Sequence, residues 1–570
     1  MNIPSFLIKF SCQLGSVFFL FLILFFCPSC TNPQDGNRPK ANDTLIVAQD
    51  VKGPFVLDSL LFDSLSTATP ELAPYHLLSR NFYSNRKWAY AWFSRSGLRE
   101  HAGFLLQFLE GAKLEGVRDS FPLLPYLQER MNIYANADSG LAPDPVFETA
   151  MTQAFFWYAD KAWTGLPEEK SKAMGWFLPR HHVDKTEWLD SAISHSPDGS
   201  LLSNAVFRQY YWLRNYLVRY DSVSRAGGWP QVGYPGYTLR YGVNDSVVPR
   251  IAESLRLHGD LDSAGTGTIL DSACLKGAMK FQERHGLNPD GALGKEFFSA
   301  LNVSVEERIE QILINMERSR WMPSGYPLRY LIVNIPDFSL YAYDEGKQIW
   351  TMRVVVGKEM HETTVFSGMM KYVVFNPYWV IPPGILYKEI IPGVMAKSSY
   401  LNKHNMEVVD AGGNKVSTSG INWSKYSQGG FPYTIRQKPG TTNSLGKVKF
   451  LFPNNYSIYL HDTPSRSLFK EEKRAFSHGC IRLSDPEKLA NFVLAPEGHS
   501  PEKIEKWLKP GKETWVTMKK ELPVYIVYFT AWVENDGQLH FRKDIYQRDQ
   551  KLRQELLSVE KTDSLPATFQ

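Results

Sequence analysis

The spacing of apolar positions changes twice along this 570-residue chain. From about Leu77 to Ser224 apolar and aromatic residues recur at helical spacing, as in Trp88-Ala89-Tyr90-Ala91-Trp92-Phe93 and Met151 to Tyr158. Such stripes bury one helix face, so they predict a helical scaffold over 71–245. Over 246–304 one helix begins at Val247-Val248-Pro249-Arg250-Ile251 and ends at His258-Gly259. A second runs from Leu275 to His285, and Asp290-Gly291 then makes a tight turn. Glu306 to Trp321 reads as one long helix stopped by Pro323, within a connecting segment 305–327.

Beyond residue 327 the period drops to two. Arg329 to Ile335, Ser339 to Tyr343, Trp350 to Val356 and Tyr372 to Trp379 predict strands of a β-rich domain over 328–520. Between 385 and 445 the regular pattern fails, and Gly, Ser, Asn and Lys dominate. A stretch of that length inside a domain reads as an inserted lid or binding loop. Pro523 to Asp549 predicts a hairpin turning at Asn535-Asp536-Gly537, within a C-terminal segment 521–570. The tail beyond Leu557 carries no core-forming pattern.

The N-terminus changes the setting. Lys9 precedes the apolar run Val17 to Phe26, which is too short for a stable membrane span and fits a signal peptide over 1–30. A small residue before Cys30 fits lipoprotein processing, with Cys30 lipidated as a membrane tether. Cys27 and Pro28 depart from the residues usual there, and ordinary signal cleavage is the alternative. Residues 31–70, rich in Asn, Pro, Asp, Ser and Thr, read as a polar tether. The chain is therefore expected to be exported to the periplasm.

Composition then narrows the chemistry. Charged residues are 21% and the net charge is +4, with no dense basic stripe and no zinc-finger spacing, so nucleic acid is excluded as a partner. Of the five cysteines, Cys12, Cys27 and Cys30 lie in the signal region, leaving Cys274 and Cys480 in the body. Two body cysteines do not make a disulfide scaffold. Cys274 sits in an apolar helical pattern and reads as core. His181 and His182 lack metal-ligand spacing and read as surface.

Cys480 stands in Ser477-His478-Gly479-Cys480-Ile481-Arg482, 19 residues after His461 in His461-Asp462-Thr463-Pro464. A thiol needs a base or a cationic neighbour to become a nucleophile, and His461 qualifies as general base. The run Tyr456 to Leu460 predicts a strand delivering that imidazole. Gly479 permits a sharp turn, and the N–H groups around His478, Gly479 and Cys480 are candidates for an oxyanion site.

This constellation resembles the L,D-transpeptidase family of the bacterial cell wall, with its YkuD-type catalytic domain. His precedes Cys here, opposite to the papain-like order. The runs Asn376-Pro377-Tyr378-Trp379, Arg436-Gln437-Lys438-Pro439-Gly440 and Phe541 to Tyr546 resemble the large YcbB-type branch. Phe281 to Leu287 with Asp290-Gly291 resembles a peptidoglycan-binding module of three short helices. The resemblance implies a multidomain α+β chain: helical scaffold, binding module, and a β-rich catalytic domain with a lid. It implies no cofactor and no metal. Its partners would be the stem peptides and glycan of peptidoglycan.

By the same resemblance, Cys480 attacks a stem tetrapeptide and expels D-Ala. A neighbouring amine then resolves the acyl-enzyme into a 3→3 cross-link, and carbapenems would be inhibitors. Arg482 would orient the loop or a substrate carboxylate. Tyr459, Trp379, Tyr378 and Ser477 would line the substrate pocket, and Arg436 would meet a carboxylate from the lid. Three other readings remain. Water or a free D-amino acid would make the same site a carboxypeptidase or an exchange enzyme. His461, Asp462, His478 and Cys480 are all residue types that bind zinc. A wall-binding lipoprotein without activity is the third.

Overall fold

The computed structural model describes residues 55–117, 119–136, 142–180, 184–194, 206–262, 267–323 and 326–557. The signal segment with Cys30, the first part of the tether, His181-His182 and the tail after Leu557 lie outside these residues.

The scaffold is built around the helix Pro145–Tyr158, whose residues from Phe147 to Tyr158 are all buried. It is buried on every face, with Glu148, Thr149, Thr152 and Gln153 among its apolar residues, so its neighbours must enclose it and partner those polar groups. The helices Ser59–Thr67, His76–Asn85 and Glu100–Glu110 pack on it, beside a small hairpin of β1 (Phe93–Ser94) and β2 (Gly97–Leu98). Residues 55–70, expected to be tether, are thus a correction. Asp58 caps Ser59–Thr67 by accepting from Leu61 N–H, and Phe62 enters the core. The polar composition of that stretch is the exposed face of an amphipathic helix.

The expected scaffold 71–245 also divides. β3 (Trp176–Phe177) leaves it to pair with the large sheet, taking Trp176 and Leu178 into that core. The helix Gln209–Arg225 packs instead on Val305–Arg320 and the C-terminal hairpin. Apolar spacing reports which face is buried, not what buries it. Residues 246–304 hold three helices, Val248–His258, Ser272–Arg284 and Lys295–Leu301, around their own core. Gly259 closes the first at φ +82°. Cys274 is buried there, and burial pushes its thiol up to about 11. Val305–Arg320 starts from a reciprocal capping box between Ser304 and Glu307.

The β-rich domain runs β4 (Tyr330–Asn334), β5 (Ser339–Asp344), β6 (Lys347–Gly357), β7 (Val365–Phe375), β8 (Trp379–Val380), β9 (Met406–Val409), β10 (Thr434–Gln437), β11 (Val448–Leu451), β12 (Leu460–His461), β13 (Ala475–Ser477), β14 (Ile481–Leu483) and β15 (Thr514–Val527). Neighbours follow the order β11-β12-β14-β6-β5-β4-β15-β7-β3, and β7 also pairs with β11, so the sheet closes on itself. β15 continues to Val527 beside β4 and β7, so the expected boundary at 520 cuts a strand. The hairpin itself is β16 (Ala531–Val533) and β17 (Leu539–Phe541).

The insertion is a second correction. Residues 385–445 are not irregular. β9 and β10 join β8 in a three-stranded sheet, and Leu386, Ile390, Ile391, Val394, Leu401 and Ile435 close a separate small core. Short elements with isolated apolar residues show no period in sequence, yet converge once folded.

Candidate active site

The site sits on the outer face of three adjacent strands. β12 and β14 are parallel, with Leu460 opposite Ile481 and His461 opposite Arg482. β11 runs antiparallel on the other side, with Lys449 opposite His461. Side chains alternate along a strand. Val448, Phe450, Leu460, Ile481 and Leu483 all point into the sheet's core. Lys449, His461 and Arg482 therefore share the opposite face, with Tyr459 and Cys480 one alternation away. The expected strand Tyr456–Leu460 is only Leu460–His461. Ser457 takes φ +56°, which breaks the extended run, although Tyr459 C=O still accepts the Ile481 N–H at 3.1 Å.

His461 is 4% exposed. Its Nδ1 lies 2.5 Å from the carbonyl of Asp462. A carbonyl only accepts, so Nδ1 carries the proton and Nε2 is the basic nitrogen. Burial, and then the charges of Arg482 and Lys449, hold the imidazole neutral, with its pKa lowered to about 3. Cys480 is half-buried, and its Sγ donates to the carbonyl of Ser457 at 3.5 Å. Burial raises its pKa above the ordinary thiol value. Hydrogen bonding by Tyr459 and the charge of Arg482 oppose that rise. The resting pair is thus neutral thiol and neutral imidazole.

The catalytic loop is pinned from below. Gly479 has φ +112°, a conformation glycine supplies without strain. Its carbonyl accepts from Thr363 Oγ1 at 2.8 Å. The same Oγ1 accepts the Gly357 N–H at 2.9 Å. Tyr546, from the segment after the hairpin, donates to Gly357 C=O at 2.5 Å and accepts the Thr363 N–H at 3.2 Å. Thr363, Gly357 and Tyr546 were not legible as site residues, because the contacts tying them to the Cys480 loop and to the C-terminal segment span 116 to 189 positions.

Several expected roles change. Ser477 is buried, and its hydroxyl donates to Cys480 C=O at 2.6 Å while accepting the Gly479 N–H at 3.1 Å. It shapes the loop rather than lining a pocket, and the Gly479 N–H is spent there instead of facing an oxyanion. His478 Nε2 lies 3.3 Å from Glu389 of the insertion, and its ring packs 5.0 Å from His361. Arg436 is already engaged. Its Nε donates to Glu407 at 2.8 Å and its guanidinium lies 4.2 Å over the Tyr378 ring. Trp379 packs on the insertion's core.

Tyr459 lies against the thiol itself, with its ring 5.6 Å from that of His461. Arg482 is half-buried with its Nε unpartnered among the described residues. The Asp462 carboxylate accepts from Thr463 N–H at 2.7 Å and Lys447 N–H at 2.8 Å, and pairs with Arg466. It is therefore not free to join His461, His478 and Cys480 around a metal. Among the described residues no group of three such ligands converges. A cavity of about 600 Å³ lies elsewhere, against Arg308, Phe541 and Arg553, and no active-site residue lines it.

The closed sheet thus carries a buried neutral imidazole on β12 and a glycine-hinged thiol just before the paired β14. Residues 328–526 match the L,D-transpeptidase catalytic domain (YkuD), and residues 78–217 match a Scaffold domain. The β-rich domain thus matches an L,D-transpeptidase catalytic domain of the YkuD type. A Haemophilus influenzae protein named "Putative L,D-transpeptidase" is 35% identical over 250 residues, 44% of this chain and 50% of that protein. The chain thus spans about half the length of that relative. An L,D-transpeptidase from Mycobacterium smegmatis is 14% identical at a TM-score of 0.17, covering 36% of this chain and 60% of its own. One from Stackebrandtia nassauensis is 12% identical at a TM-score of 0.21, covering 52% and 97%.

Proposed function

We propose that this protein is a peptidoglycan L,D-transpeptidase forming 3→3 cross-links through a Cys480 acyl-enzyme. The observation that supports the reading is His461 on β12, paired with the strand β14 that directly follows Cys480, with Nδ1 donating to the Asp462 carbonyl so that Nε2 is free to act as base. In the donor step the thiol leaves the Ser457 carbonyl and gives its proton to Nε2 as sulfur attacks. The electrophile is the carbonyl of the L-centre at position three of a stem tetrapeptide. The N–H groups of Cys480 and His478 are the remaining candidates to hold the oxyanion. The imidazolium then protonates the departing amine, and D-Ala leaves a thioester. An amine of a second stem attacks, His461 takes its proton, and the thiol is regenerated with one new amide.

Tyr459 donates toward the sulfur and Arg482 supplies positive charge as thiolate develops. Trp379, Tyr378 and the insertion bound the substrate side. The three-helix unit 246–304 fits the role of wall anchor. The N-terminal segment supports export to the periplasm, with Cys30 as the lipidation site.

The deciding experiment is intact mass spectrometry of the soluble body, residues 31–570. The body is exposed separately to a carbapenem and to disaccharide-tetrapeptide. A Cys480 adduct together with dimers lacking one D-Ala is the expected result. Tripeptide monomers alone would make the enzyme a carboxypeptidase. Loss of the adduct in wild type, or its survival in Cys480→Ala, would refute the mechanism.

A further inference from the structure

The row Lys449–His461–Arg482 runs straight across β11, β12 and β14, in direct register on both sides of the imidazole. Both flanking residues are cations, and neither makes an ion pair among the described residues. Lys449 is half-buried. Its Nζ lies 3.5 Å from the Tyr378 carbonyl and 5.5 Å from the centre of the Trp515 ring. These are neutral partners. The nearest acid acting on it is Glu513, whose Oε1 is taken by the Tyr378 N–H at 2.9 Å. A structural lysine on a sheet surface normally keeps its ammonium in water or against a carboxylate. Here it is partly withdrawn from water, and burial lowers its pKa against only the opposing charge of Glu513, with which it forms no ion pair.

The position is also costly for the base beside it. A cation directly across from a general base disfavours the protonated imidazole that catalysis must pass through. The arrival of negative charge at this position would offset that cost. Arg482 alone serves the thiolate side, since its charge acts directly on Cys480. Lys449 sits on the other side of His461, next to Tyr378 and the half-exposed Trp515.

From this row we propose that Lys449 is a carboxylate-binding residue of the donor site, reading a free carboxylate of the peptide acylated by Cys480. The inference rests on the function proposed above. It assigns the residue that recognises the charge of that substrate. The Trp515 face and the Tyr378 carbonyl hold the ammonium at rest, and an incoming carboxylate replaces them as partner. The two carboxylates nearest the acylated centre carry this chemistry: that of the terminal D-Ala and, where the diamino acid bears one, its side-chain carboxylate.

The test begins without the reaction. Cys480 is alkylated with iodoacetate, which bears a carboxylate, and with neutral iodoacetamide, and the ratio of rates is read. Lys449→Met should lower the ratio by about threefold or more, as expected for loss of one nearby charge in a partly desolvated site. Lys449→Arg should restore it. A ratio unchanged in Lys449→Met overturns the proposal, and taking the ratio cancels any general change in thiol reactivity.

Stem tetrapeptides amidated at either carboxylate then separate the sources. The stem whose KM no longer responds to Lys449→Met has lost the group that Lys449 reads. An equal KM increase for all stems, including one amidated at both positions, would also overturn the proposal. If wild type releases no D-Ala while the alkylation ratio still falls, the transpeptidase reading fails and the carboxylate site stands.

Discussion

Thr363 Oγ1 donates to the carbonyl of Gly479 at 2.8 Å, fastening the residue before the nucleophile to a threonine 116 positions upstream. The same oxygen accepts the Gly357 N–H, so one buried hydroxyl ties the end of β6 to the catalytic turn. Thr363→Val removes both bonds while keeping the shape. A buried polar group left unpaired costs about 1–3 kcal/mol. The expected result is a lower melting temperature and a roughly tenfold slower Cys480 adduct formation, on the scale of a displaced catalytic group. Thr363→Ser should retain most of both. Equal adduct rates in the valine variant and wild type would show that the tie does not position the loop.

The neutral resting pair fixes a pH profile. His461 is lowered to about 3 and Cys480 is raised above the ordinary thiol value. Between these limits neither group changes charge. The rate of iodoacetamide alkylation should therefore climb steadily from pH 6 to pH 9 with no inflection at the usual imidazole value near 6.5. A plateau between pH 6 and pH 8 would instead reveal a preformed thiolate–imidazolium pair.

Gly357 at the end of β6 and Gly479 in the loop should fail for different reasons. A Cβ on Gly357 would lie 2.0 Å from the His361 carbonyl, so Gly357→Ala must move backbone. A Cβ on Gly479 meets nothing nearer than the Glu362 carbonyl at 3.7 Å, and only its φ of +112° resists substitution. Backbone strain of that kind costs on the order of 1–3 kcal/mol. Gly357→Ala is expected to lose more thermal stability than Gly479→Ala, and Gly479→Ala to lose more acylation rate than its stability loss explains. Differential scanning calorimetry beside adduct kinetics separates the two.

Tyr546 tests the C-terminal segment. Its hydroxyl bridges Gly357 and Thr363, and its own N–H donates to Tyr528 OH at 2.9 Å. Tyr546→Phe keeps the ring and deletes the bridge. The expected cost is again about 1–3 kcal/mol, with slower acylation, though the residue lies in sequence far beyond Cys480. Unchanged kinetics and melting would mean the segment packs without supporting the site.

The scaffold has its own titration. Glu148 is fully buried and accepts from Tyr83 OH at 2.8 Å and Trp92 N–H at 3.0 Å. Desolvation outweighs these donors and pushes its pKa up to about 7. A raised folded-state value means the native protein holds the proton more tightly than the unfolded chain. This contribution is complete below about pH 4.5 and is lost as pH rises through about 7, amounting to up to about 3 kcal/mol. Glu148→Gln should flatten the decline in melting temperature across that window. An identical slope in the variant would assign the decline to other groups.

The site divides into what lies close in sequence and what does not. Cys480, His461, Gly479 and Arg482 were legible as candidates, because the proposed nucleophile, base and hinge sit within 22 positions of one another and their chemistry constrains residue type. Lys449 was visible only as a polar position in an alternating run, and nothing in the run tells which strand lies beside it. Arg436 and Ser477 were read from their chemistry as substrate contacts. Folding gives them Glu407 and the loop backbone as partners instead. A side chain's type says what it can bind, while its neighbours decide what it has left to offer.

By itself, the sequence determined the order of helical scaffold, three-helix unit and β-rich catalytic domain, and it singled out the candidate nucleophile with its candidate base. Local periodicity and short motifs encode these directly, because each depends on residues a few positions apart. Tertiary structure alone decided the closed sheet, the folded core of the insertion, and the capture of β3 and the C-terminal segment by the catalytic domain. It also decided the cation–imidazole–cation row across three strands. Each depends on strand register and long-range burial, where the free energy comes from contacts between residues far apart in the chain.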